Sequence, residues 1–187
     1  MNITKEHTCY NMNKYQRSIY SEYIQRPYKY YLTLTFKNNE KHLDIDLSYY
    51  LKLILKKIFG KHCKSAELKM LIIREEKPSS IHHIKLQSHY HILIEDNERI
   101  DLNLLAKYVI ACSRKCTSMV NLLDKDYKDI THNYYKDGKY NSKKPVNLVE
   151  IETNFDKSRI LNYLLKDVHK YKNNWYITSN GTVNTNT

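Results

Sequence analysis

"SHYHILIE", residues 88–95, is the stretch on which the fold reading turns. Side chains of a strand alternate faces, so His89 and His91 point the same way, with Cβ atoms roughly 7 Å apart. Two imidazoles so placed can share one metal ion. Equally, the exposed face of a half-buried strand can simply carry two histidines, and the octapeptide does not choose between these readings.

Working outward, "YKYYLTLTFK" (28–37) alternates with period two. Tyr28, Tyr30, Leu32, Leu34 and Phe36 form an apolar face, and Lys29, Tyr31, Thr33, Thr35 and Lys37 a wettable one. "ELKMLIIREE" (67–76) is apolar on both faces until Arg74, which predicts a strand inside a sheet. "PVNLVEIE" (145–152) is the last predicted strand. Helical spacing appears in "DLSYYLKLILKKIFGKHC" (46–63), with Asp46 or Ser48 as N-cap and Gly60 as stop, and again in "DLNLLAKYVIACSRKC" (101–116). "DKSRILNYLLKDVHKYK" (156–172) is the final helix, capped by Asn154 or Asp156. Residues 124–145 are polar and tyrosine-rich, with a turn at Asp137-Gly138. The order strand, helix, strand, strand, helix, strand, helix predicts an α+β domain, a central antiparallel or mixed sheet flanked by helices. Residues 1–25 read as a polar arm or frayed helix, 26–172 as the domain and 173–187 as a flexible tail.

The chain has 187 residues, the size of one domain, and 31 lysines and arginines against 20 acids give a formal charge of +11. Such an excess favours a polyanionic partner, nucleic acid ahead of an anionic membrane surface. Lys52, Lys56, Lys57 and Lys61 are either a solvated helix face or phosphate contacts. No apolar run reaches the ~18 residues of a membrane span, and "MNITKEHTCYNMNKYQ" lacks the apolar core of a signal peptide, so the reading is cytoplasmic with no membrane partner. Cys9, Cys63, Cys112 and Cys116 form neither a disulfide framework nor a zinc pattern. Cys112 and Cys116, one helical turn apart, read as small apolar packing. The 18 tyrosines fit base stacking, and fit an AT-rich coding bias as well.

On the final helix Ile160, Leu161, Leu164, Leu165 and Val168 share one arc, and Tyr163, Lys166 and Lys170 fall nearly opposite. Tyr163 is therefore expected off the core face, as ordinary surface or as a phenol presented to an anion. A phenol attacks a phosphodiester only when its oxyanion is stabilised, which a lysine and a metal ion can both do. The resulting phosphotyrosyl ester conserves the bond energy, so no nucleotide hydrolysis is needed, and no GxxxxGK[ST] loop is present.

"HYH" on a strand followed by "YLLK" (163–166) on a helix resembles the HUH endonucleases, and most of all the rolling-circle replication initiators (Rep proteins) of plasmids and small viruses. "YLTLTF" (31–36), "HYHILI" (89–94) and the Tyr163–Lys166 pair match that family's three motifs in order, over residues 28–172. The resemblance implies a ferredoxin-like, RRM-like sheet, with Tyr163 as nucleophile and Lys166 beside it. It also implies a divalent ion, Mg²⁺ or Mn²⁺, on His89, His91 and a third ligand. Glu75 is preferred as that ligand over Glu76, which points to the opposite face, and His82 and His83 compete because the span from Glu75 to His89 is long for the family. The implied reaction is nicking and joining of single-stranded origin DNA, which can be a hairpin, through a 5′-phosphotyrosine. Thr33 and Thr35 would help position that DNA. A single tyrosine implies a second subunit or another acceptor hydroxyl for termination, with Tyr171 as the local alternative, and host replication proteins as further partners. Relaxases place the tyrosine before the histidines. Single-tyrosine transposases of insertion sequences share the order seen here and are the alternative, followed by a basic nucleic-acid-binding module without catalysis and a phosphodiesterase that uses water.

Overall fold

The structure is a computed structural model that describes residues 12–36, 43–62, 68–75, 89–132, 145–165, 175–179 and 182–183. The element order is α1 (Lys14–Tyr23), β1 (Tyr28–Thr35), α2 (Leu43–Phe59), β2 (Met70–Glu75), β3 (His89–Glu95), α3 (Leu102–Ser113), α4 (Tyr127–Ile130), β4 (Val146–Glu150), α5 (Asn154–Leu165), β5 (Trp175–Ser179) and β6 (Thr182–Val183). The strands form one sheet in the order β4-β1-β3-β2-β5-β6, and every pairing is antiparallel. β3 lies between β1 and β2, and β1 between β3 and β4, the interleaved order of ferredoxin-like sheets. The fold class is thus α+β, an antiparallel sheet flanked by helices.

Alternation along the strands divides the core in two. Tyr30, Leu32, Leu34, Ile72, Tyr90, Ile92 and Leu148 face α2 and α3. Tyr31, Leu71, Ile73, Leu93 and Val149 face α1 and α5. The face of β1 expected to be wettable is therefore covered: Tyr31 and Thr35 are 1% and 6% exposed. Tyr28 joins the second cluster although its parity assigns it to the first, because the β1–β3 register shifts between Tyr28 and Tyr30. A bulge of this kind turns a side chain to the other face.

Helix ends follow local chemistry. Asp101 caps α3 by accepting from the Leu104 N–H at 2.7 Å. α5 is capped by Thr153, whose Oγ1 accepts from the Asp156 N–H at 3.1 Å, so neither Asn154 nor Asp156 is the cap. α2 begins at Leu43, before the expected caps, and carries Asp44 and Asp46 in its first turn, where carboxylates suit the helix dipole. It stops at Gly60, whose φ of 59° is the left-handed conformation that favours glycine. Cys112 and Cys116 are buried free thiols in the first cluster.

Two segments differ from the expected polar ends. Residues 14–23 form α1, which starts with a reciprocal capping box between Asn13 and Gln16. Gln16 Nε2 donates to the Leu165 carbonyl at 2.6 Å, and Ile19, Tyr20, Tyr23 and Ile24 pack on the second cluster. The apolar stripe is short and half of it is tyrosine, so composition hid it. Residues 175–179 form β5, which pairs with β2 through Met70↔Thr178 to Ile73↔Trp175 and satisfies that strand's outer backbone groups. Residues 133–144, including Asp137-Gly138, lie outside the described residues.

Burial also sets the alkaline limit of the fold. Tyr28, Tyr30 and Tyr50 are held above the ordinary phenol value of 10.0, in each case chiefly by desolvation. Above pH ~10 the unfolded chain gives up phenolic protons that the folded chain keeps, so the unfolded state binds fewer protons and stability falls as pH rises. This stabilisation is fully present below pH ~10. The expected result is a urea midpoint that drops between about pH 9 and 11, with a shallower drop in Tyr50→Phe; a flat midpoint over that range would contradict it.

Candidate active site

Sheet register assembles the polar residues. On the second face the cross-strand rows run Leu71–Leu93–Tyr31–Val149, then Ile73–His91–Thr33–Asn147, then Glu75–His89–Thr35. Each step toward the start of β3 exchanges apolar side chains for polar ones. The face is thus a hydrophobic platform that ends in a patch of imidazole, hydroxyl and carboxylate.

His91 sits at the centre of the patch and is 4% exposed. Its Nε2 lies 2.9 Å from Glu75 Oε2, and its Nδ1 lies 2.7 Å from the Tyr31 hydroxyl and 3.4 Å from Thr33 Oγ1. The Tyr31 ring is parallel to the imidazole within 12°. From α5 the Tyr163 ring meets His91 edge-on, with centroids 5.7 Å apart, and the Tyr163 hydroxyl donates to the same Glu75 Oε2 at 3.2 Å. His89, half-buried, has its ring centroid 6.3 Å from that of His91 and its Nδ1 3.2 Å from Thr35 Oγ1.

The residue between the histidines explains why the pair is held so firmly. Tyr90 points to the opposite face, is fully buried, packs edge-on against Phe36 and donates to Asp44 Oδ1 of α2 at 2.5 Å. Arg74 Nη1 lies 3.8 Å from the same carboxylate oxygen. The strand is therefore anchored from behind while both imidazoles face α5.

His89, His91, Glu75 and Tyr163, separated in sequence by up to 88 residues, thus converge. Tyr163 differs from expectation in one respect: it is half-buried at the flank of the core and packs on the second cluster instead of standing opposite to it. A helix laid across a sheet end covers side chains on its flank as well as on its apolar arc. Lys166, Val168, Lys170, Tyr171, Glu76, His82 and His83 lie outside the described residues. Tyr31 was not singled out from sequence as a site residue, although alternation had placed it on the face of Thr33 and Thr35. Pairing register, which alternation does not supply, was the missing information.

The donor set suits a divalent cation that accepts mixed nitrogen and oxygen ligands. The 2.9 Å between His91 Nε2 and Glu75 Oε2 is a hydrogen-bond distance. Among the described residues no three His, Cys, Asp or Glu side chains are already gathered as a cation site. The Nε2 edge of His91 is instead turned to Glu75. One consistent network has Tyr31 O–H donating to Nδ1, Nε2–H donating to Glu75, and Tyr163 O–H donating to Glu75.

Set against protein-family models, curated proteins and solved structures, the chain matches none. No described helix is long and apolar enough to cross a membrane.

Removing the shared acceptor tests the network. Glu75→Ala strips partners from His91 Nε2 and the Tyr163 hydroxyl, both in a covered site, and is expected to lower unfolding free energy by about 1–3 kcal/mol. Asp124, whose pairing with Arg114 is 90% exposed on the aspartate side, is the contrast: Asp124→Ala should cost no more than about 1 kcal/mol. Equal effects in urea denaturation would show that the Glu75 bonds contribute nothing net.

Proposed function

We propose that this site nicks and rejoins single-stranded DNA through a covalent bond to Tyr163, with a divalent cation, Mg²⁺ or Mn²⁺, held by His89, His91 and Glu75. The observation that carries the reading is the single carboxylate oxygen of Glu75, to which both the His91 ring and the Tyr163 hydroxyl are bonded. A surface tyrosine and an incidental histidine pair have no reason to meet there.

When bound, the cation supplies charge that polarises a phosphate ester. The chain's own groups do the rest. Glu75 aims the phenol by accepting its hydrogen, and the edge contact with His91 limits the swing of the ring. Tyr163 Oη forms a bond to phosphorus as the P–O3′ bond breaks. The phenolic proton is released and the departing 3′ oxygen takes up a proton, leaving a 5′-phosphotyrosyl ester and a 3′-hydroxyl. Attack by a hydroxyl on that ester reverses the step, so joining needs no external energy source. Lys166, one turn beyond Tyr163 in sequence, would offset the charge that builds on the phosphate. The formal charge of +11 supports a nucleic acid as substrate. The fuller form of the reading is initiation of rolling-circle replication at an origin of a plasmid or virus, with transposition of an insertion sequence as the alternative use of the same reaction.

The test is incubation of an end-labelled single strand with Mn²⁺ or Mg²⁺. A protein–DNA adduct that survives SDS is expected, falling by ~10³-fold or more in Tyr163→Phe. His89→Ala combined with His91→Ala should abolish the adduct while leaving salt-sensitive DNA binding in place. An undiminished adduct in Tyr163→Phe would remove Tyr163 from the role of nucleophile, and free 5′-phosphate ends without an adduct would indicate attack by water.

A further inference from the structure

The two histidines share a feature that the reaction itself does not require: each Nδ1 is met by a hydroxyl from β1. Tyr31 lies 2.7 Å from Nδ1 of His91, and Thr35 lies 3.2 Å from Nδ1 of His89. The match follows from register, since Thr33 is opposite His91 and Thr35 opposite His89. Tyr31 reaches diagonally from the row behind. We infer that β1 is the orienting strand of the cation site, with Tyr31 and Thr35 as positioning residues that hold the Nδ1 edges of His91 and His89 and so turn the Nε2 edge of His91 toward Glu75. The inference rests on the proposed cation site and assigns its support.

Hydroxyls are suited to this task in a way that carbonyls and carboxylates are not, because they both donate and accept. In the tautomer that carries its hydrogen on Nε2, His91 donates to Glu75 and the Tyr31 hydroxyl donates to Nδ1. With a cation on Nε2, the ring must carry its hydrogen on Nδ1, and the same hydroxyl turns to accept it. The tautomer change conserves protons: one leaves Nε2 to solvent and one is taken up at Nδ1. Tyr31 is 1% exposed and its ring lies parallel to the imidazole, so the hydroxyl can reverse its bond without the ring moving. Thr35, 6% exposed, is equally shielded from competing water. Thr33 and Thr35, the hydroxyls expected to help position DNA, lie 3.4 Å from Nδ1 of His91 and 3.2 Å from Nδ1 of His89.

The experiment is Mn²⁺ titration of the full chain, followed by electron paramagnetic resonance, in wild type, Tyr31→Phe, Thr35→Val and Tyr30→Phe. Tyr30 is the control because its hydroxyl leaves the same strand on the other face, donating to the Ile100 carbonyl. Tyr31→Phe and Thr35→Val should each weaken Mn²⁺ binding by about 10–100-fold, the usual effect of removing a ligand's outer partner, and Tyr30→Phe should leave it unchanged. A second readout is ¹⁵N NMR of the imidazoles with Mg²⁺, in which wild-type His91 should move from the Nε2–H to the Nδ1–H form. In Tyr31→Phe the cation-free ring should lose its single tautomer. If Tyr31→Phe fails to fold, Thr35→Val carries the same test at His89. Mn²⁺ uptake lost in the double histidine variant yet unchanged in Tyr31→Phe and Thr35→Val would overturn the role of β1 alone. Uptake indifferent to the double histidine variant would overturn the cation site and the inference together.

Discussion

One carboxylate oxygen ties the second face of the sheet together. Glu75 Oε2 receives hydrogen bonds from β3, through His91, and from α5, through Tyr163, while Glu75 itself ends β2. Three elements distant in sequence are thereby fixed relative to one another at the end of the sheet where apolar packing runs out. Farther along the same face, Leu71, Leu93, Leu161 and Leu164 set the height of α5 by close packing. The carboxylate sets where the helix's tyrosine comes to rest. Such bonds are directional where dispersion contacts are not, so they define a position as well as contributing stability.

A sheet face covered by a helix is ordinarily apolar, and the departure from that rule is costly. Thr33, His91 and Asn147 occupy a row in which Val or Leu would pack without any polar group to satisfy. Most of the row is internally bonded, but the buried Oδ1 atoms of Asn147 and of Asn162, next to Tyr163, find no hydrogen-bond partner among the described residues. An unmet buried polar atom costs about 1–3 kcal/mol, and such departures from good packing concentrate where a protein does chemistry. The structure offsets the cost behind the site, where Tyr90, Phe36 and the α2–α3 layer form the largest buried cluster. Tyr90 is the hinge between these demands, since it belongs to the firm face while its neighbours on either side belong to the polar one.

Much of this was legible from residue order. Alternation in 30–36 and 89–95 assigned side chains to the correct faces, Tyr28 being displaced by the bulge, Gly60 marked the end of α2, and "HYH" and "YLLK" singled out His89, His91 and Tyr163, which the fold does bring together. What could not be read was pairing. Periodicity says that Tyr31, Thr33 and Thr35 share a face, yet only register says that they stand beside His91 and His89 and not two residues away. The same gap hid β5, whose place depends on the unfilled edge of β2 and not on its own sequence. It also hid the packing of α1, whose four-residue aromatic and aliphatic stripe gains meaning only once α5 is there to receive it. Tyr163 was misjudged for a related reason: a helical wheel measures angles about one axis and is blind to how far a sheet extends beneath the flank.

The strand order explains why these groups suffice. Because β3 lies between β1 and β2, each imidazole has a hydroxyl strand on one side and a carboxylate strand on the other. An imidazole has two nitrogens on opposite edges of its ring, so a central strand is the one place in a sheet where both can be engaged by neighbours in register. Exchanging β1 and β2 in sequence would preserve that property; moving β3 to an edge would destroy it, leaving one nitrogen to solvent and the ring free to turn. Antiparallel interleaving therefore does more than bury two apolar faces. It sets a hydroxyl against one nitrogen of His91 and turns the other nitrogen toward the carboxylate that also meets Tyr163.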